Sequence, residues 1–152
     1  MRHERSEREP SQQPEGGPYL QAAFFCERLL EEADGVLSAI RIVDTVTLQD
    51  GSPSDAETAT VNLTLLIAFK AGQARGTFDL VVEMEEPGRS PSDAPVRHTQ
   101  TILFDGADHG GVTVIMPLAL VVDQESVPWF RASLDERLVT RLPLRVVSNR
   151  AP

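Results

Sequence analysis

Between Ala59 and Phe69 every second residue is apolar: Ala59, Val61, Leu63, Leu65, Ile67 and Phe69. Thr60, Asn62 and Thr64 lie between them, followed by Leu66 and Ala68. A strand turns successive side chains to opposite faces, so this run predicts a strand with one buried face. The period returns at Ala74, Gly76, Phe78, Leu80, Val82 and Met84, with Arg75, Thr77, Asp79 and Glu83 opposite. It returns again at Val112, Val114, Met116, Leu118, Leu120 and Val122. Pro117 falls on the other face of that strand; it has no N–H to give a neighbour, which predicts an edge or a bulge.

Residues 36–48 alternate Val36, Ser38, Ile40 and Ile42 with Leu37, Ala39 and Val43. Apolar side chains on both sides predict a central strand. Residues 19–28 combine good helix propensity with a period-two face of Leu20, Ala22, Phe24 and Cys26. They are read as a strand ending near Arg28, with room for a helical extension at 29–32 and a turn at Ala33-Asp34-Gly35. Residues 96–104 make a weaker strand, with Val96, Ile102 and Phe104 on one face and Thr99 and Thr101 opposite. Residues 129–134 and 138–147 predict a hairpin turning at Asp135-Glu136. Its inward face is Phe130, Ala132 and Leu134, then Leu138, Leu142, Leu144 and Val146, and Pro143 on the outer face again suggests an edge.

Turn-forming residues separate these runs at 49–57, 70–73, 85–95 and 105–111. About eight strands result, and none of the connections reads as the helical crossover that parallel neighbours need. The expectation is an all-β protein of two antiparallel sheets packed face to face, with a small closed β-barrel as the alternative. Residues 1–18 hold no apolar side chain after Met1 and are read as a disordered tail. The domain is placed at 19–148, and residues 149–152 form a short C-terminal tail.

Charge narrows the partners. Fourteen Lys and Arg stand against 23 Asp and Glu, a formal net charge of −9, and Lys70 is the single lysine. With no basic cluster, nucleic acid and an anionic membrane are not expected partners. Residues 1–17 lack the apolar core of a signal peptide, and no apolar run reaches the length of about 18 residues that a membrane helix needs. The chain reads as cytoplasmic, and the Arg-to-Lys imbalance suggests a GC-rich bacterial genome.

Two blocks carry a likeness to known sequences. One is Phe25-Cys26-Glu27 with Asp34-Gly35-Val36-Leu37-Ser38 and Ile40-Arg41-Ile42-Val43-Asp44; the other is Trp129-Phe130, Leu134-Asp135 and Leu142-Pro143-Leu144-Arg145-Val146. Together they resemble a family of small bacterial domains of unknown function. The resemblance implies an immunoglobulin-like sandwich over about residues 19–147 and carries no activity.

Candidate chemistry is sparse. Cys26 is the only cysteine and is read as a small buried hydrophobe, since no Gly-x-Ser-x-Gly elbow or histidine of known proximity accompanies it. His98, on the face of Val96 and Ile102, is read as a hydrogen-bonded structural histidine. The stretch Asp105-Gly106-Ala107-Asp108-His109-Gly110-Gly111 could offer Asp105, Asp108 and His109 to a cation, with Asp50, Asp55 or Asp93 joining if their loops share that end. A solvated turn explains the same residues. Trp129 is placed outward and could anchor a partner, as could the edges marked by Pro117 and Pro143. The expected function is therefore a non-catalytic module with no cofactor, binding another protein through edges and loop tips. A small-ligand or cation binder using loop 105–111 is the alternative, and an enzyme the reading of last resort.

Overall fold

A computed structural model describes residues 16–48, 59–86, 96–107 and 109–148. Most of the expected tail, all of loop 49–57, most of loop 85–95, Asp108, and the C-terminal residues 149–152 lie outside the described residues. Ten strands are present: β1 (Tyr19–Glu31), β2 (Leu37–Val43), β3 (Thr45–Leu48), β4 (Ala59–Lys70), β5 (Gly76–Glu85), β6 (Val96–Phe104), β7 (Gly111–Val122), β8 (Trp129–Leu134), β9 (Arg137–Pro143) and β10 (Arg145–Ser148). Two four-stranded antiparallel sheets, in the orders β2-β1-β4-β7 and β6-β5-β8-β9, form the sandwich. The chain passes between them at β4–β5, β6–β7 and β7–β8, the Greek-key wiring of immunoglobulin-like folds. The sheets do not close on each other, so the barrel alternative is excluded.

The core follows the predicted alternation. Leu63, Leu65, Ile67 and Phe69 of β4 are buried against Leu80 and Val82 of β5 and Phe130, Ala132 and Leu134 of β8. Phe25 of β1 meets Phe130 edge to face across the two sheets, ring centroids 5.0 Å apart, a geometry the aromatic quadrupole favours.

Several expectations are corrected. The two extra strands come from two breaks. Residues 36–48 bend at Asp44 into β2 and β3, and residues 138–147 break after Pro143 into β9 and β10. At the second break Leu144 N–H donates to the Pro128 carbonyl (2.9 Å) and Arg145 N–H to the Asp44 carbonyl (2.9 Å), handing the chain from β8 to β3. β10 and β3 then pair in parallel. A parallel pair needs a long connection, and here the whole domain between β3 and β10 supplies it. β2 is not central but lies at an edge. Nor is there a helical extension, since β1 stays a strand to Glu31 and turns through Asp34, whose carboxylate accepts the Val36 N–H (3.1 Å).

Two bulges change which side chains face inward. On β1 the register steps from Leu20↔Phe69 to Ala22↔Ala68, leaving Gln21 extra. Leu20 therefore points to the core with Ala23 and Phe25, while Ala22, Phe24 and Cys26 face out. On β9 the step from Ala132↔Thr140 to Ser133↔Leu138 leaves Val139 extra. Val139 packs on the core, and Leu138, expected inside, sits opposite the outward Ser133.

The edge readings hold. β7 and β9 are edge strands. Pro117 sits in an unbroken β4–β7 register opposite Thr64, so its missing N–H falls on the open side of the edge. The Asp135-Glu136 turn takes positive φ at both residues (46° and 66°), the backbone of a two-residue hairpin. Asp135 is held by the Asp79 N–H, which donates to its carboxylate (2.8 Å). Gly16 to Pro18, assigned to the tail, sit against the β4–β5 turn, where Gln73 N–H donates to the Gly16 carbonyl (2.6 Å) and Pro18 is buried.

Leu65 has no exposed surface, so Leu65→Ala should lower stability by about 3 kcal/mol in urea denaturation, the usual cost of a core cavity. The β9 bulge sets a paired test: Val139→Lys should cost at least about 1.5 kcal/mol and Leu138→Lys no more than about 0.5 kcal/mol. Equal effects would contradict the bulge.

Candidate functional site

Antiparallel partners directly opposite each other share a face, so the register gives the outer surface of the first sheet row by row. One row runs Ile42, Cys26, Thr64, Pro117; the next Phe24, Leu66, Ile115; the next Ala22, Ala68, Thr113. On the far side of the first lie Ile40 beside Arg28 and Ala119 beside Asn62. The two middle strands supply buried side chains, Cys26, Leu66 and Ala68, although they face away from the other sheet. Their larger outer neighbours shield them: Ile42 is 62% exposed and Ile115 44%. None of the outward positions on β1, β2, β4 and β7 is Asp or Glu, and the charges among them are Arg28 and Lys70.

This face extends beyond the sandwich. β1 leaves β4 after Cys26 and continues paired with β2 only. The resulting two-stranded ribbon carries Leu30 and Ile40 on the same outward side, both exposed. Its other side holds the Glu27–Arg41 ion pair (2.9 Å). Where the strands part, Glu27, Arg41, Thr45, Thr47, Asn62 and Leu63 line a cleft of about 610 Å³.

The outer face of the second sheet is richer in charge, although Leu103 is exposed on it as well. Arg97 pairs with Glu83 (3.4 Å), and Glu85 pairs with Arg141 (3.1 Å) and Arg131 (4.0 Å). Trp129 faces outward as expected, half-buried, with the Arg141 guanidinium 5.0 Å from its ring centroid. Its π face is thus already occupied by a cation of its own sheet. Pro143 lies beside it in the same outward row.

No protein-family model matches this chain, and no curated protein does.

The other residues singled out in the sequence are scattered. Asp105 is exposed, and its carboxylate accepts the Ala107 N–H (3.1 Å), the local turn contact that Asp supplies in loops. His109 is exposed nearby, and Asp50, Asp55, Asp93 and Asp108 lie outside the described residues. Among the described residues no three His, Cys, Asp or Glu side chains gather in a metal-binding group. His98 faces the core side of β6 but is exposed, because edge strand β6 overhangs the packed interior there. This corrects its reading as a structural histidine. Cys26 looks away from the sheet that holds His98, so the two do not converge.

The residues that sequence reasoning missed are Ile40, Ile42, Leu66, Ala68, Ile115 and Ala119. Their signal was present: Leu66 and Ala68 interrupt the polar side of β4, and residues 36–43 are apolar on both sides. Burial pushes the Cys26 thiol above its ordinary value of 9.0, so little thiolate exists near neutrality. Alkylation by iodoacetamide at about pH 8 should be at least tenfold slower, roughly, in folded protein than in urea. Equal rates would show the thiol to be open.

Proposed function

We propose that this domain is a non-catalytic protein-interaction module that docks through the outer face of its first sheet. The observation that carries the reading is the contrast between the two outer faces. One is laced with ion pairs and stacks its tryptophan under an arginine; the other presents Ile42, Ile40, Leu30, Ile115 and Val121 to solvent with no carboxylate among them. Contiguous exposed apolar surface of this kind is unfavourable in water unless something covers it, and it marks interaction sites. Interfaces gain from such surface because burial releases it from water at about 25 cal/mol per Å² before the costs of association.

The reading moves the site away from loop tips and from Trp129, and keeps Pro117 within the face. A cytoplasmic bacterial setting and kinship with the immunoglobulin-like family of unknown function fit it and stand as part of the proposal.

Ile42→Lys and Ile115→Lys change exposed side chains and should leave the far-UV circular dichroism and Tm within the range of other surface substitutions, about 0.5 kcal/mol. Cross-linking with the wild-type chain as bait should yield a protein adduct, this chain or another, that the double variant fails to form. An adduct of undiminished yield in the folded variant would remove this face as the site.

A further inference from the structure

Resting on that face as the site, we propose that its occupant is a second copy of this chain, packed sheet on sheet about a two-fold axis parallel to the strands. The segments of this sequence outside the described residues are poor material for a cover. Residues 1–15, 49–58, 87–95, 108 and 149–152 contain one large apolar side chain, Met1.

The arrangement of the rows is self-complementary. A two-fold axis running between β1 and β4 exchanges β1 with β4 and β2 with β7, since the order is β2-β1-β4-β7. Residues stay at their own level along the strand, so each row meets itself reversed. Ile42 of one copy falls on Pro117 of the other, a large side chain against a small one at each edge. In the middle Phe24 meets Leu66, Ala22 meets Ala68, and Cys26 meets Thr64. Lys70 faces Tyr19. No like charges are opposed.

Charge selects the same occupant. The chain carries −9 overall, so two copies repel through most of their surfaces. No strand position on this face is Asp or Glu, and the carboxylate that reaches it, Glu32 bonded to the Ser38 hydroxyl (2.8 Å), lies at the far tip of the ribbon, so this is where two copies meet at least cost. The footprint is sufficient. Four strands about 4.8 Å apart and about ten residues long cover on the order of 650 Å² per copy, close to the roughly 800 Å² per partner of a standard interface. Aligned face-to-face packing is the common way two sheets meet.

The test is the solution mass of the full chain by sedimentation from about 1 to 100 µM, with folding of each variant checked by circular dichroism. The expected mass is twice the 16.7 kDa of the chain. Ile42→Lys and Pro117→Glu should each weaken the dimer at least tenfold, and combining them should restore it. Within one copy those positions are three strands apart, roughly 14 Å, so restoration reports contact between copies. Ser133→Lys, on the outer face of the second sheet, should leave the dimer intact. A wild-type monomer throughout the range, a dimer indifferent to Ile42→Lys, a dimer lost in Ser133→Lys, or no restoration in the double variant would each overturn the proposal. A monomeric wild type that still forms an Ile42-dependent adduct with a different protein would overturn the second copy and keep the face.

Discussion

The inward row of β4, Leu63, Leu65, Ile67 and Phe69, packed on the second sheet, is the constraint on which the remaining structure depends. β4 pairs with β1 on one side and β7 on the other, so its register sets the facing of both neighbours. Once Leu65 and Ile67 point inward, Phe25, Val114 and Met116 must point inward with them. By the same pairing, whatever alternates with them is driven outward as one surface. The apolar outer face is thus a consequence of the register that forms the core. Selection could have made the alternate residues mostly polar, as it did on β5, where Thr77, Asp79, Glu83 and Glu85 stand outward with Val81. On β4 it kept Leu66 and Ala68.

Period two was legible because the pleat imposes it residue by residue, and it located every strand run, though not the splits of β2 from β3 and of β9 from β10, and the buried face of β4, β5, β7 and β8. What it could not carry was a change of phase. One extra residue at Gln21 inverts the facing of β1 on either side of it, and one at Val139 does the same for β9. A bulge leaves no composition signal at these positions, since Gln and Val occur in regular strands as well. The breaks at Asp44 and Pro143 were half legible. Pro143 announced an edge, but the transfer of the chain to β3 depends on the Asp44 and Pro128 carbonyls, which are remote in sequence.

The candidate site was legible in its residues and misread in its meaning. A strand apolar on both sides was taken to be covered on both sides, which is the commoner solution when a second layer exists within the chain. Here β2 is apolar on both sides and lies at the edge of the sandwich. The same pattern therefore has two physical outcomes. Either the chain supplies a second cover, or the cover is another molecule. The remaining segments of this sequence lack the apolar side chains of a lid, which favours the second outcome proposed above.

The two outer faces differ in how each meets water. Ion pairs between exposed side chains add little to stability, commonly under about 1 kcal/mol each. The network of Glu83, Glu85, Arg97, Arg131 and Arg141 is better understood as keeping the second sheet solvated and discouraging association there. Pro117 does the corresponding work at the free edge of β7, where it removes a donor that another strand could use. Edge-to-edge growth is thereby disfavoured on one side of the first sheet while its face stays open. A surface that blocks strand addition and leaves a flat apolar face favours closed, face-to-face association over open-ended stacking, and a two-fold arrangement closes after one partner is added.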